Sequence, residues 1–91
     1  MERADWKGFF ADWPPELAPR GVLVTTFNEQ IPFDGFLTSD QFVVIARTTP
    51  DTVGARQVVV PYENIAALKI VTVVKGKVLE GMGFKPAPTK K

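Results

Sequence analysis

Thr38-Ser39-Asp40-Gln41-Phe42-Val43-Val44-Ile45 is the stretch that decides the fold. It opens on three small polar residues, the chemistry of a tight turn. It continues in aromatic and β-branched residues, which suit a pleated, packed strand. A strand is predicted over Gln41 to Thr48, and the unbroken run Phe42-Val43-Val44-Ile45 predicts burial on both of its faces. Asp40 is expected to cap the turn through its carboxylate.

The same alternation of turn and strand extends to either side. Upstream, Val22 to Phe27 and Ile31 to Leu37 read as strands joined by a turn at Asn28-Glu29-Gln30. Pro32 belongs at a strand start or an edge, and Gly35 permits a sharp bend or bulge. Downstream, residues 49–55 form a loop around Pro50, Asp51 and Gly54, followed by a short strand from Gln57 to Val60. Pro61-Tyr62-Glu63-Asn64 is a tight turn into Ile65 to Val74, expected as the longest strand. Short strands joined by short turns predict one strongly bent sheet rolled into a small barrel.

The N-terminal segment has a different period. Trp6, Phe9, Phe10 and Trp13 follow at i, i+3, i+4 and i+7 behind Asp5, a helix with an aromatic stripe and an N-cap. Arg3 and Lys7 are its only basic neighbours, too few for an anionic lipid surface. Pro14 and Pro15 stop the helix, and the connector to Gly21 is stiff. So short a helix is marginal alone, so its aromatic stripe is expected to cover an open end of the barrel, the alternative being a docking peptide for a partner or a membrane surface. The resulting organisation is one domain over residues 1–74, with the helix over 5–13 and strands within 22–74. A Lys/Gly/Pro-rich extension follows over 75–91. There Val78, Leu79, Met82 and Phe84 can still pack, while Lys85 to Lys91 are expected to be disordered.

Composition excludes several functions. The 91 residues contain neither Cys nor His. That removes disulfides, thiolate zinc sites and the commonest general base, so no metal centre, no cofactor and no enzyme activity are expected. No apolar run approaches the ~18 residues of a membrane span. The lack of Cys and of a signal-peptide pattern points to the cytoplasm. Residues 75–91 carry five Lys and one Glu, a charge of +4, whereas residues 1–74 carry six basic and nine acidic side chains, a charge of −3. A mildly acidic body is not built to hold a phosphate backbone.

The order of elements resembles the Sm-like family: a short helix, five strands, a turn of Asp40-Gln41-Phe42 into strand three, and a tight turn between strands four and five. The stretch from Thr38 to Ile45 is similar to the first Sm signature, particularly in the bacterial host-factor branch. Asn28 stands where that family often has a turn Asn, and Pro61-Tyr62-Glu63-Asn64-Ile65 stands where its second signature lies. The resemblance covers roughly residues 21–74. It implies a homo-oligomeric ring of five to seven subunits that holds single-stranded RNA.

The residues also depart from the family. Glu29 replaces the usual Gly after the turn Asn, and Gly35 falls one position late. Val44 stands in place of a nucleic-acid-binding Asn, Pro61-Tyr62 in place of Arg-Gly, and Tyr62-Glu63 in place of Lys-His. Positive charge is thereby removed from where RNA would enter. By resemblance, Gln41 and Phe42 would hold a base, with Tyr62 as a second stacking face. Against this, Phe42 can be core, Gln41 a solvated turn residue, and Tyr62 a buried ring with its hydroxyl at the rim. Asp34, Asp40 and Glu63 show no spacing suggestive of a metal or hydrolytic cluster. Gly76-Lys77 and Gly81–Gly83 are not a phosphate loop, because no GKS/GKT pattern or following helix is expected there. Two functions remain: a weak RNA-binding ring, or a scaffold ring of the same fold that has lost RNA binding.

Overall fold

A computed structural model describes residues 5–87. Helix α1 spans Trp6–Ala11 and is followed by β1 (Gly21–Thr25), β2 (Gln30–Thr38), β3 (Phe42–Arg47) and β4 (Gln57–Pro61). A 3-10 turn over Tyr62–Asn64 leads to β5 (Ile65–Lys69), and a second helix, α2, spans Gly76–Gly81. The strands form one antiparallel sheet in the order β4-β3-β2-β1-β5. Arg3, Lys90 and Lys91, together with most of the tail expected to be disordered, lie outside the described residues.

The strand order sets a geometric problem. In a flat sheet, four strand spacings would hold β4 and β5 roughly 19 Å apart. Yet the chain passes from Pro61 to Ile65 through a single 3-10 turn, which at ~2.0 Å per residue covers only about 8 Å. The sheet must therefore coil until its two edges approach at that end. Val60 of β4 and Ile65 of β5 accordingly share one buried cluster with Leu23, Ile31, Phe33, Val43, Ile45 and Phe10. The turn is pinned on both sides: Tyr62 N–H donates to the Gln41 carbonyl at 3.3 Å, and Thr26 N–H to the Asn64 carbonyl at 2.9 Å. The expected barrel is nonetheless not closed. β4 and β5 are the two edges of the sheet, and no ladder joins them.

A bulge in β2 makes the coil compatible with a single core. Phe33 pairs with Arg47 and Phe36 with Ile45, so β2 contains one more residue than β3 across this interval. The extra residue shifts the inward phase. Ile31 and Phe33 point inward, and after the bulge Phe36 does so in place of Gly35. Phe36 then meets the helix edge-on, 5.0 Å from the rings of both Phe10 and Trp13. Pro32 sits early in β2, at the margin of β3; its carbonyl accepts from Thr48 N–H at 3.2 Å. β3 is buried on one face only, because Val43 and Ile45 are inside while Val44 faces outward beside Leu37 and Val59. The expected two-sided burial fails because the outer face of the sheet is not covered there.

The first turn shows why Asn occupies position 28. Thr25 is buried, and its hydroxyl accepts from the N–H groups of Phe27 and Glu29, each at 3.2 Å. Asn28 completes the turn at φ 66°, left-handed backbone that Asn tolerates better than most residues. The turn thus begins earlier than expected, and β1 ends at Thr25.

Three further expectations are corrected. The helix ends at Ala11, short of Trp13, because a residue preceding proline is pushed away from helical backbone; its cap is as expected, with Asp5 accepting from Gly8 N–H at 2.9 Å. β5 stops at Lys69, and β2 is the longest strand. Among the described residues β5 pairs only with β1, whose ladder ends at Val22 opposite Lys69, so Ile70 onward has no partner strand there. The extension contains α2, stopped by Gly83 at φ 105°. The spacing of Val78, Leu79 and Met82 with a following Gly signals that helix. A helix after Gly76 removes one ground for rejecting a phosphate loop; the missing GKS/GKT pattern still excludes it.

Two predictions concern this packing. Phe10 is 2% exposed, so Phe10→Ala should lower stability by about 3–5 kcal/mol in chemical denaturation. At Gly21 an added Cβ would lie 2.6 Å from the Lys69 carbonyl oxygen, whereas at Gly35 it would lie 3.8 Å from the Ala46 Cβ. Gly21→Ala should therefore destabilise by about 1–3 kcal/mol as β1 and β5 are pushed apart. Gly35→Ala should be tolerated, and paired melting curves of the two variants test the difference.

Candidate functional site

Where α1 crosses the end of the coiled sheet there is an open depression of about 800 Å³, lined by Trp6, Gln41, Phe42, Pro61, Tyr62, Glu63 and Ile65. Its position follows from local structure. Gln41 lies between the β2–β3 turn and the start of β3. Phe42 pairs across the sheet with Pro61, and Tyr62 and Glu63 belong to the 3-10 turn. Trp6 is on the first turn of α1, which packs against β2 and the 3-10 turn. The three residues expected to hold a base, Gln41, Phe42 and Tyr62, are thus brought together.

Of the structural readings, that of Phe42 as core fails, while Gln41 is an exposed residue of the turn and Tyr62 a partly buried ring. Phe42 is 40% exposed and is not core; the inward positions of β3 are Val43 and Ile45. Gln41 is exposed. Tyr62 is half-buried against the core, and its hydroxyl donates to the Ser39 carbonyl at 2.9 Å. That bond ties the ring across the β2–β3 turn and fixes its orientation beside Phe42.

Asp40 does not cap the turn. Ser39 closes it: its backbone N–H donates to the Phe42 carbonyl at 2.9 Å, and its hydroxyl accepts from Phe42 N–H at 3.2 Å. Asp40 instead forms an ion pair with Lys7 of α1, strapping the helix to the rim of the depression. The Lys7 hydrogen bond, then its charge, holds the Asp40 carboxyl below the usual carboxylate range, and the same contact raises the Lys7 ammonium. Both groups are exposed, so the strap orients the helix more than it stabilises it. Asn28 and Gly35 lie away from the depression, in the β1–β2 turn and the β2 bulge.

The electrostatics of the site are one-sided. None of its lining residues is Lys or Arg, and Lys7, the cation at its rim, is engaged by Asp40. Glu63 supplies the one carboxylate in the lining and has no ion-pair partner among the described residues. Among those residues no three His, Cys, Asp or Glu side chains are grouped to hold a metal. No helix there is long and apolar enough to cross a membrane.

The sequence pattern placed Trp6 only in the helix stripe and gave Glu63 no binding role, noting it as a turn residue that stands where the Sm-like family has a basic pair. No local pattern reveals that α1 lies over the β4–β5 turn; that contact depends on the coiling of the whole sheet. No family model matches the chain, and neither a curated protein nor a solved structure is significantly similar to it.

Proposed function

We propose that the chain assembles into an Sm-like ring and that each copy holds one unpaired base of single-stranded RNA in the depression under Trp6. The observation that carries this reading is the convergence of Gln41, Phe42 and Tyr62 on one open depression. Aromatic faces and an amide suit an unstacked base. Base–aromatic stacking is worth roughly 1–3 kcal/mol, and repetition around a ring multiplies a weak contact, since each further one is intramolecular. Such a protein works by binding and cytoplasmic assembly, without cofactor or catalysis.

Support for assembly comes from the sheet edges. β4 and β5 each leave one side unpaired, a template for another strand. Beyond β5 the β-branched run Ile70-Val71-Thr72-Val73-Val74 has no partner strand among the described residues, with Val71 and Val73 exposed. Near the other edge, Leu37 pairs with Val44 and Val44 with Val59, an apolar row on the outer face. An edge-to-edge contact that continues β5 through Val74 against β4 of the next copy would cover both surfaces. Such a contact is heterologous, and it ends only when the ring closes. By resemblance the ring has five to seven subunits.

The absence of Lys and Arg from the depression favours a second reading, a scaffold ring without RNA.

Light scattering at micromolar concentration tests assembly; a monomer overturns it. Val73 is 101% exposed in the single chain, so Val73→Asp should leave the subunit folded by circular dichroism yet dissociate the ring. RNA binding is tested by titrating single-stranded RNA against wild type, Gln41→Ala and a chain ending at Phe84. Gln41→Ala should weaken binding in a base-dependent way, and the truncation should chiefly flatten its salt dependence by removing Lys85, Lys90 and Lys91. If wild type binds no RNA at low salt, the scaffold reading replaces the RNA one.

A further inference from the structure

We infer that the depression selects guanine over the other bases, through the Glu63 carboxylate and the Gln41 amide. This rests on the base-holding reading and specifies what is held. Two polar side chains among the lining residues remain uncommitted, Gln41 and Glu63. Tyr62 already donates its hydroxyl proton to Ser39. Around them, Trp6, Phe42, Pro61 and Ile65 provide apolar walls.

An ionised carboxylate only accepts, through two oxygens side by side. It therefore matches a base edge with two adjacent donors. Guanine has such an edge in N1–H and the N2 amino group, and its neighbouring O6 accepts from an amide N–H such as that of Gln41. Uracil places its one N–H between two carbonyls, so the second carboxylate oxygen would face a carbonyl. Adenine and cytosine each place an amino group beside an unprotonated ring nitrogen, again setting acceptor against acceptor. With no cation in the lining to attract phosphate, the base edge supplies the discrimination, and a mismatched edge leaves the carboxylate unpaired.

The test is fluorescence anisotropy with labelled single-stranded RNA hexamers that differ at one central position: guanine, inosine, adenine, cytosine or uracil. The guanine hexamer should bind roughly five- to hundred-fold tighter than the adenine, cytosine or uracil hexamers, the range of a good bidentate contact. Inosine, lacking the 2-amino group, should lose most of that advantage. Glu63→Gln should abolish the preference, weakening the guanine hexamer while the other hexamers bind no more weakly than before, with folding checked by circular dichroism. Equal binding of guanine and inosine overturns the inference whether or not the variant folds, and so does uracil or adenine binding as tightly as guanine. If hexamers bind without guanine preference, this inference alone fails. If none binds, the base-holding reading fails with it.

Discussion

The rest of the structure depends on a short link between distant strands. The single 3-10 turn Tyr62–Asn64 joins the two edges of a five-stranded sheet. A chain that short cannot cross a flat sheet, so the sheet coils. Coiling brings Val60 and Ile65 into one core and leaves an end for α1 to cover. It also places the turn beside the start of β3, where Tyr62 N–H reaches the Gln41 carbonyl. The candidate site is a by-product of this constraint.

The bulge in β2 and the aromatic stripe of α1 act together. Without the extra residue near Gly35, Phe36 would face outward and the helix would lack its edge-on partner. With it, Phe10 seals the core, and Trp6, one turn earlier, is left half-buried at the rim. The same helix therefore serves stability through one ring and offers a wall of the depression through another. The Lys7–Asp40 pair keeps that wall in register with the β2–β3 turn while removing a cation from the site. With Lys7 paired, the Glu63 carboxylate is the one charge in an otherwise apolar and neutral lining.

Both sheet edges remain open, and the β-branched run after Lys69 stays unpaired within the single chain. These features share a cause. The proline-bearing connector before Gly21 gives β5 no strand to pair with beyond Val22, so a segment with strong strand chemistry is left beside a free edge. In the proposed ring, a second copy would pair with the backbone groups that the first leaves open.

The residue pattern alone determined the number of strands, the helix with its Asp5 cap and the bend at Gly35, because each depends on local backbone chemistry and side-chain period. It misjudged the end of β5 because strand propensity at Ile70–Val74 says nothing about whether a partner strand is present. It missed α2, whose few apolar residues were outweighed by the Gly, Lys and Pro around them. It assigned Asp40 to its own turn, since a contact with Lys7 is 33 residues away in sequence and invisible to local reasoning. Only the tertiary structure decided that Trp6 and Glu63 share a depression with Gln41, Phe42 and Tyr62, because their meeting requires the whole sheet to coil beneath the helix.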